Sequence, residues 1–213
     1  MSQQIPAPRD GENPRGPRGA DVRHDLWAPT LVRAAVALVF AAVTVFWQHP
    51  SLEAGRWVTA LFMVGTGISA IFLQVRLNRN EGVDLGASRG IPQSYGVLYV
   101  LGGALTAVVA GSNWVFVLLS SVVLGLCGLT ELVLGMRFRG QFPLGRDWTL
   151  CGAITVFAAM GMVLVETLGA KAELGVAGGA AILIGVSQLI AALSLRHDAR
   201  VADGHGPHPS RTA

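Results

Sequence analysis

The sequence predicts an all-α protein, a polytopic transmembrane bundle of six helices, and two observations indicate this fold class. Of the 213 residues, 52% are hydrophobic and only 14% are charged, whereas soluble globular domains carry about 25% charged residues. Uncharged apolar runs recur along the chain with roughly the 20 residues that a helix needs to cross about 30 Å of hydrocarbon. These properties exclude an ordinary soluble domain.

Six such runs are predicted to span the membrane. They cover residues 30–47, 56–75, 95–111, 114–136, 148–168 and 172–195. The predicted membrane domain is residues 29–195. Residues 1–28 combine prolines with Gly and Arg and bury too little apolar surface to order themselves, so they are predicted as a disordered tail, and residues 196–213 as a second one.

Tryptophans support these boundaries, because their rings prefer the membrane interface. All of them fall at predicted span ends: Trp27, Trp47, Trp57, Trp114 and Trp148.

The distribution of cations predicts the orientation. One face receives most of them: Arg9, Arg15, Arg18, Arg23, Arg76, Arg79, Arg89, Arg137, Arg139, Arg146, Arg196, Arg200 and Arg211. The other face has only Arg56 and Lys171, and Arg33 lies one turn inside the first span. Because Lys and Arg are retained in the cytoplasm, both termini are expected there. The preference for Arg over Lys, with abundant Ala, Gly and Val, indicates a GC-rich genome and a bacterial inner membrane.

The connections predict three helical hairpins, since those on the outer face are short and those on the inner face longer. Gly65, Gly125 and Gly185 occupy the second helix of each hairpin and are separated by sixty residues each time. An apolar stretch that ends in Arg follows each of them. A fixed period of this kind is typical of a repeated supersecondary unit, so three hairpin repeats are predicted.

This pattern, together with Gly128-Leu129-Thr130-Glu131-Leu132 in the fourth span, resembles the HdeD-like acid-resistance membrane protein family. The resemblance covers about residues 28–196. It implies a six-span bundle of short repeats with a role in acid or envelope stress. The other hairpins depart from the phrase, because Ile71 and Ala191 stand sixty residues either side of Glu131.

Glu131 is the strongest candidate for a functional residue. It lies about five residues, or roughly 7 Å, inside the cytoplasmic end of its span, where ionisable groups often mark proton or ion paths. Alternatively, Glu131 joins helices by pairing with Arg33 or Gln188. Glu166, at the outer end of the fifth span, is expected to reach water or Lys171.

Small residues are predicted to let helices approach closely. The candidates for such packing contacts are Gly65, Gly125, Gly185, Gly175 and Gly179. No catalytic, cofactor-binding or metal-binding set is predicted, and Gly65-Thr66-Gly67-Ile68-Ser69-Ala70 lacks the strand-to-helix context of a dinucleotide site. Cys127 and Cys151 are expected to be small core residues.

Two functions follow as hypotheses. The first is a non-enzymatic envelope protein that supports stress tolerance by packing with itself or with another membrane protein. The second is a small proton- or solute-conducting transporter that uses Glu131. The expected surroundings are the lipid bilayer, with no nucleic acid and no cofactor.

Overall fold

The computed structural model describes residues 17–79, 90–140 and 142–204, and this part of the chain is helical without strands. The elements are α1 (Pro17–Phe46), α2 (Leu52–Arg79), α3 (Ile91–Val109), α4 (Asn113–Arg137), α5 (Gly145–Leu164), a 3₁₀ turn (Glu166–Leu168) and α6 (Ala170–Gly204). The predicted all-α fold with six helices is confirmed.

Five of the helices contain segments long and apolar enough to cross a membrane, with mean hydropathies between 1.6 and 2.2. These segments are His24–Phe46, Leu52–Arg79, Asn113–Arg137, Gly145–Leu164 and Ala170–Val201. The sixth helix, α3, is apolar over Gln93–Val109 but shorter. The chain therefore has the helices of an integral membrane protein.

The helices form a closed ring, because α1 packs on both α2 and α6 and every helix contacts its chain neighbours. The most extensive contacts join α1 to α6, α2 to α3 and α4 to α5. The predicted hairpin partners, α1 with α2, α3 with α4 and α5 with α6, share smaller contacts. The hairpins are thus not the most tightly packed pairs, and the sixty-residue repeat stays a prediction.

Glycines explain the closeness of two of these pairs. An added Cβ at Gly67 of α2 would lie 2.5 Å from the carbonyl oxygen of Gly96 in α3. An added Cβ at Gly152 of α5 would lie 2.7 Å from the carbonyl oxygen of Gly128 in α4. Because glycine has no side chain, the two backbones can approach closely and gain dispersion contacts. These contacts hold membrane helices together, since lipid provides no hydrophobic driving force between them.

At one end of the ring, called the terminal end below, α1 begins and α6 ends. Arg76 of α2 pairs with Asp25 at 3.3 Å, and the Arg196 guanidinium lies 5.3 Å from the centre of the Trp27 ring. Arg56 and Asn113 lie at the other end, called the opposite end.

α1 and α6 extend into segments predicted as disordered tails, since residues 17–28 and 196–204 are helical. Leu26 and Ala199 are buried, so apolar side chains in these extra turns still find packing partners. The remainder of each predicted tail lies outside the described residues.

One tryptophan, Trp148, does not lie exposed as a ring at the membrane interface would. Trp148 stands near the start of α5 but is buried, with its ring centre 5.0 Å from that of Phe142. Trp47, Trp57 and Trp114 are exposed, as rings at a bilayer surface would be.

Candidate functional site

An ion pair between Arg33 and Glu131 lies inside the ring. One guanidinium nitrogen, Nη1, contacts Oε1 of Glu131, and Nη2 donates to Oε2 at 2.7 Å. Arg33 is 6% exposed and Glu131 is 0% exposed. This two-point arrangement matches the planar guanidinium to the carboxylate and is the strongest form of such a pair.

The pair joins helices that are not neighbours in the ring. α1 packs mainly on α6 and α2, and α4 packs mainly on α5 and α3, so the long Arg33 side chain reaches across the interior. Of the two partners considered for Glu131, Arg33 is the one that the structure brings to it. The interpretation in which Glu131 joins helices is therefore supported by direct contact.

Helical spacing explains why both residues point inwards. Arg33 shares the buried face of α1 with Thr30, Ala37 and Phe40, at intervals of three or four residues. Glu131 shares the buried face of α4 with Leu124, Cys127, Gly128 and Leu134. Residues at these intervals lie on one side of a helix, so the faces that bury the apolar residues also bury the charges.

Other polar side chains surround the pair. Tyr95 of α3 is buried, and its hydroxyl has no hydrogen-bond partner among the described residues. The Cys127 thiol contacts the Tyr95 carbonyl oxygen at 3.6 Å. Gln188 donates from Nε2 to the Cys151 sulfur at 3.1 Å, so this amide binds a thiol next to the pair.

A cavity lies at the centre of the ring, and each of the six helices contributes to its wall. Its polar lining consists of Arg33, Thr66, Tyr99 and Thr155, and the rest is apolar and rich in alanine. The volume open to the centre of a water molecule is about 20 Å³, which is room for about one water. The cavity therefore suits a species of atomic size rather than an organic solute.

A second buried carboxyl group occurs at the opposite end. Glu173, in the first turn of α6, is 0% exposed and accepts a 2.6 Å hydrogen bond from Nδ2 of Asn113. The same Asn113 nitrogen donates to the Glu166 carbonyl oxygen at 3.0 Å. Oε2 of Glu173 is buried without a partner in the described part of the chain.

The sequence pattern draws attention to Glu166, which is half-buried, and not to Glu173. The sequence does contain a sign that Glu173 is buried, because this residue stands at helical intervals from the apolar residues Ala177, Ala181 and Ile184. All four side chains lie on the buried face of α6. This sign is easily overlooked, because Glu173 lies near the end of a predicted span, where carboxylates are usually solvated.

The predicted packing glycines fall into two groups. An added Cβ at Gly65 or Gly185 would lie 2.9 Å from Val36 or 2.7 Å from Leu38, so both contact α1. At Gly125 the nearest neighbour would be Ala159 of α5 at 3.8 Å, an ordinary contact. Gly175 and Gly179 would meet nothing within 4 Å and face outwards. The three glycines at sixty-residue intervals thus have unlike surroundings.

In residues 17–79, 90–140 and 142–204, no three His, Cys, Asp or Glu side chains group as metal ligands would. Comparisons of the chain with protein-family models, with curated proteins and with solved structures find no match. The likeness to HdeD-like proteins thus rests on the sequence features that suggested it.

Proposed function

We propose that this chain is a non-enzymatic protein of the bacterial inner membrane that supports tolerance of acid or envelope stress as a closed helical bundle. The observation that carries the closed bundle is the Arg33–Glu131 pair, which joins opposite helices across the interior. The stress role rests on the resemblance of the sequence to HdeD-like proteins. The adjoining cavity accommodates only about one water.

The proposed orientation places both termini in the cytoplasm. The excess of Arg at the terminal end supports it, because cations near span ends are retained on that side. Association with a second copy or with another membrane protein is part of the proposal. The outward-facing Gly175 and Gly179 support it, since small residues let membrane helices approach one another.

A second candidate is conduction of protons or small solutes that depends on Glu131. One observation favours it. The cavity lies beside the ion pair and is lined by hydroxyls of Thr66, Tyr99 and Thr155, which are groups that can relay or coordinate a permeating species. In this alternative the ion pair opens during transport.

Proton flux into proteoliposomes separates the two candidates. The purified protein and its Glu131→Gln variant are reconstituted with a trapped pH dye, and a pH gradient is imposed. Glu53→Gln is the matched control, because the Glu53 side chain is 75% exposed at the start of α2. The closed bundle predicts that all three proteins give the flux of protein-free vesicles. Flux that is lost only in Glu131→Gln would overturn it in favour of conduction.

A survival assay tests the stress role itself. We expect a deletion strain to survive acid challenge less well than its parent, and the wild-type gene to restore survival. Because the substitution leaves Glu131 buried without its partner, an Arg33→Gln gene should restore survival less well at equal protein level. Equal survival of the deletion strain and its parent would remove the stress role.

A further inference from the structure

Arg33 belongs both to the buried ion pair and to the wall of the central cavity. Its terminal nitrogens bind Glu131, and its side chain also forms part of the cavity wall. The remaining guanidinium nitrogen, Nε, is buried without a hydrogen-bond partner among the described residues. A donor of this kind normally finds an acceptor when it is buried, so the Arg33 side chain retains capacity for one more ligand.

The net charge of this region depends on Glu131. With the carboxylate ionised, Arg33 and Glu131 together are neutral. When Glu131 loses its charge, Arg33 becomes a buried cation in a medium of low dielectric constant, which is strongly unfavourable without a counter-charge. The cavity that Arg33 itself lines offers a space for a counter-ion beside the guanidinium.

The other titratable groups around the pair do not supply that counter-charge. Those that interact with it electrostatically are Tyr95 and Tyr99 from α3, Cys127 from α4 and Cys151 from α5. Phenols and thiols are neutral in acid. α2 and α6 present the uncharged Thr66 and Gln188 to this region. Among these groups, Glu131 alone supplies a negative charge to Arg33.

The size and lining of the cavity define the ligand. About 20 Å³ open to the centre of a water molecule admits a monatomic ion and excludes carboxylates and phosphates. The hydroxyls of Thr66 and Tyr99 can donate to an anion, whereas that of Thr155 already donates to the Cys151 carbonyl oxygen at 2.8 Å. The alanine-rich remainder of the wall offers no carboxylate to repel an anion.

We infer that the central cavity is a binding site for a small monovalent anion such as chloride, which pairs with Arg33 when Glu131 is uncharged. The charge of Glu131 and anion binding at Arg33 are then coupled, since the carboxylate and the anion compete to neutralise the same guanidinium. This inference does not depend on the stress role or on net conduction, because a closed bundle and a conducting one could both hold the ion.

Thermal unfolding in detergent tests the site, with sodium chloride compared with sodium gluconate at the same ionic strength. Gluconate serves as the control anion because it is too large for the cavity. An ion that binds only the folded state raises the unfolding temperature. Chloride should therefore raise the unfolding temperature of Glu131→Gln, and it should not change the unfolding temperature of the wild type at neutral pH. The apparent chloride affinity of Glu131→Gln should be on the order of tenfold or more above that of the wild type.

Two variants test whether the ion binds where we propose. The Arg33→Gln/Glu131→Gln double variant removes the cation, and Ala181→Leu fills the cavity in the wild-type background while keeping both charges. The double variant should lose the chloride effect. Equal unfolding temperatures of Glu131→Gln in the two salts, or a chloride effect that survives in the double variant, would overturn the inference.

Chloride-35 NMR line broadening gives a measurement that does not need a stable Glu131→Gln protein. Acidification of the wild type should broaden the chloride signal, and Ala181→Leu should abolish this change. A signal that stays unbroadened down to the pH at which the wild type unfolds would mean that the cavity holds water only, and would overturn the inference.

Discussion

At position 33 a guanidinium lies within a membrane-spanning helix, where an unpaired charge is costly. The structure offsets this cost by giving Arg33 a carboxylate partner, Glu131, in a two-point contact. The pair need not stabilise the protein relative to apolar residues of similar size, since desolvation of two ions cancels much of their attraction. Removal of one partner is different, because it leaves the other charge buried alone.

A double-mutant cycle measures this asymmetry. We expect Arg33→Met and Glu131→Leu each to lower the free energy of unfolding by about 3 kcal/mol, because each leaves a buried charge unpaired. The double variant should lose less than either single variant. Denaturant titration in detergent, with gluconate as the anion, provides the free energies. If the two single effects add in the double variant, the pair does not interact as described.

Between elements, the closest approaches depend on glycine. The pairs α2–α3 and α4–α5 bring backbone against backbone at Gly67 with Gly96 and at Gly128 with Gly152. Such contacts are specific, because an added methyl group has no space to occupy. The glycine at position 125 looks similar in the sequence but tolerates a Cβ.

Gly67→Ala should therefore destabilise the protein by about 2 kcal/mol, the range for overpacking of a tight contact. Gly125→Ala is the matched control, since its Cβ would make only an ordinary contact. It should be neutral or slightly stabilising, because Ala favours helix over Gly. Thermal unfolding of both variants in one detergent is the measurement. An equal loss of stability in the two variants would show that stability depends on the number of glycines and not on the α2–α3 contact.

On the scale of the whole molecule, the ring has two chemically different ends. The terminal end carries the Asp25–Arg76 pair and the exposed Arg137, Arg139 and Arg146. The opposite end carries Glu173 with Asn113. This difference should orient the bundle with its terminal end towards the cytoplasm.

Single-cysteine labelling in intact cells tests the orientation. A membrane-impermeant thiol reagent should label Glu53→Cys at the opposite end and should label Arg139→Cys only after the cells are lysed. Cys127 and Cys151 are free and buried, so the unmodified chain is the control for background labelling. The reverse pattern would invert the proposed topology.

The number and positions of the helices were largely predictable from the sequence. The six helices follow from the apolar runs, because backbone in hydrocarbon must satisfy its own hydrogen bonds. The sequence also indicates Glu131, with Arg33 as a possible partner, since a charge within an apolar run is conspicuous, and the structure brings these two side chains into contact. Glu173 was missed, because an acid near the end of a span is usually solvated.

The amino-acid sequence by itself determined the six helices, the apolar character of the spans and the presence of charges within them. Only the tertiary structure decided which helices pack most closely, which glycines face a neighbour and that Arg33 reaches Glu131 across the ring. The reason is that lipid and protein interior are equally apolar. A leucine that faces lipid and one that faces a helix look alike in sequence, so the inward face of each helix becomes evident only when all six are packed together.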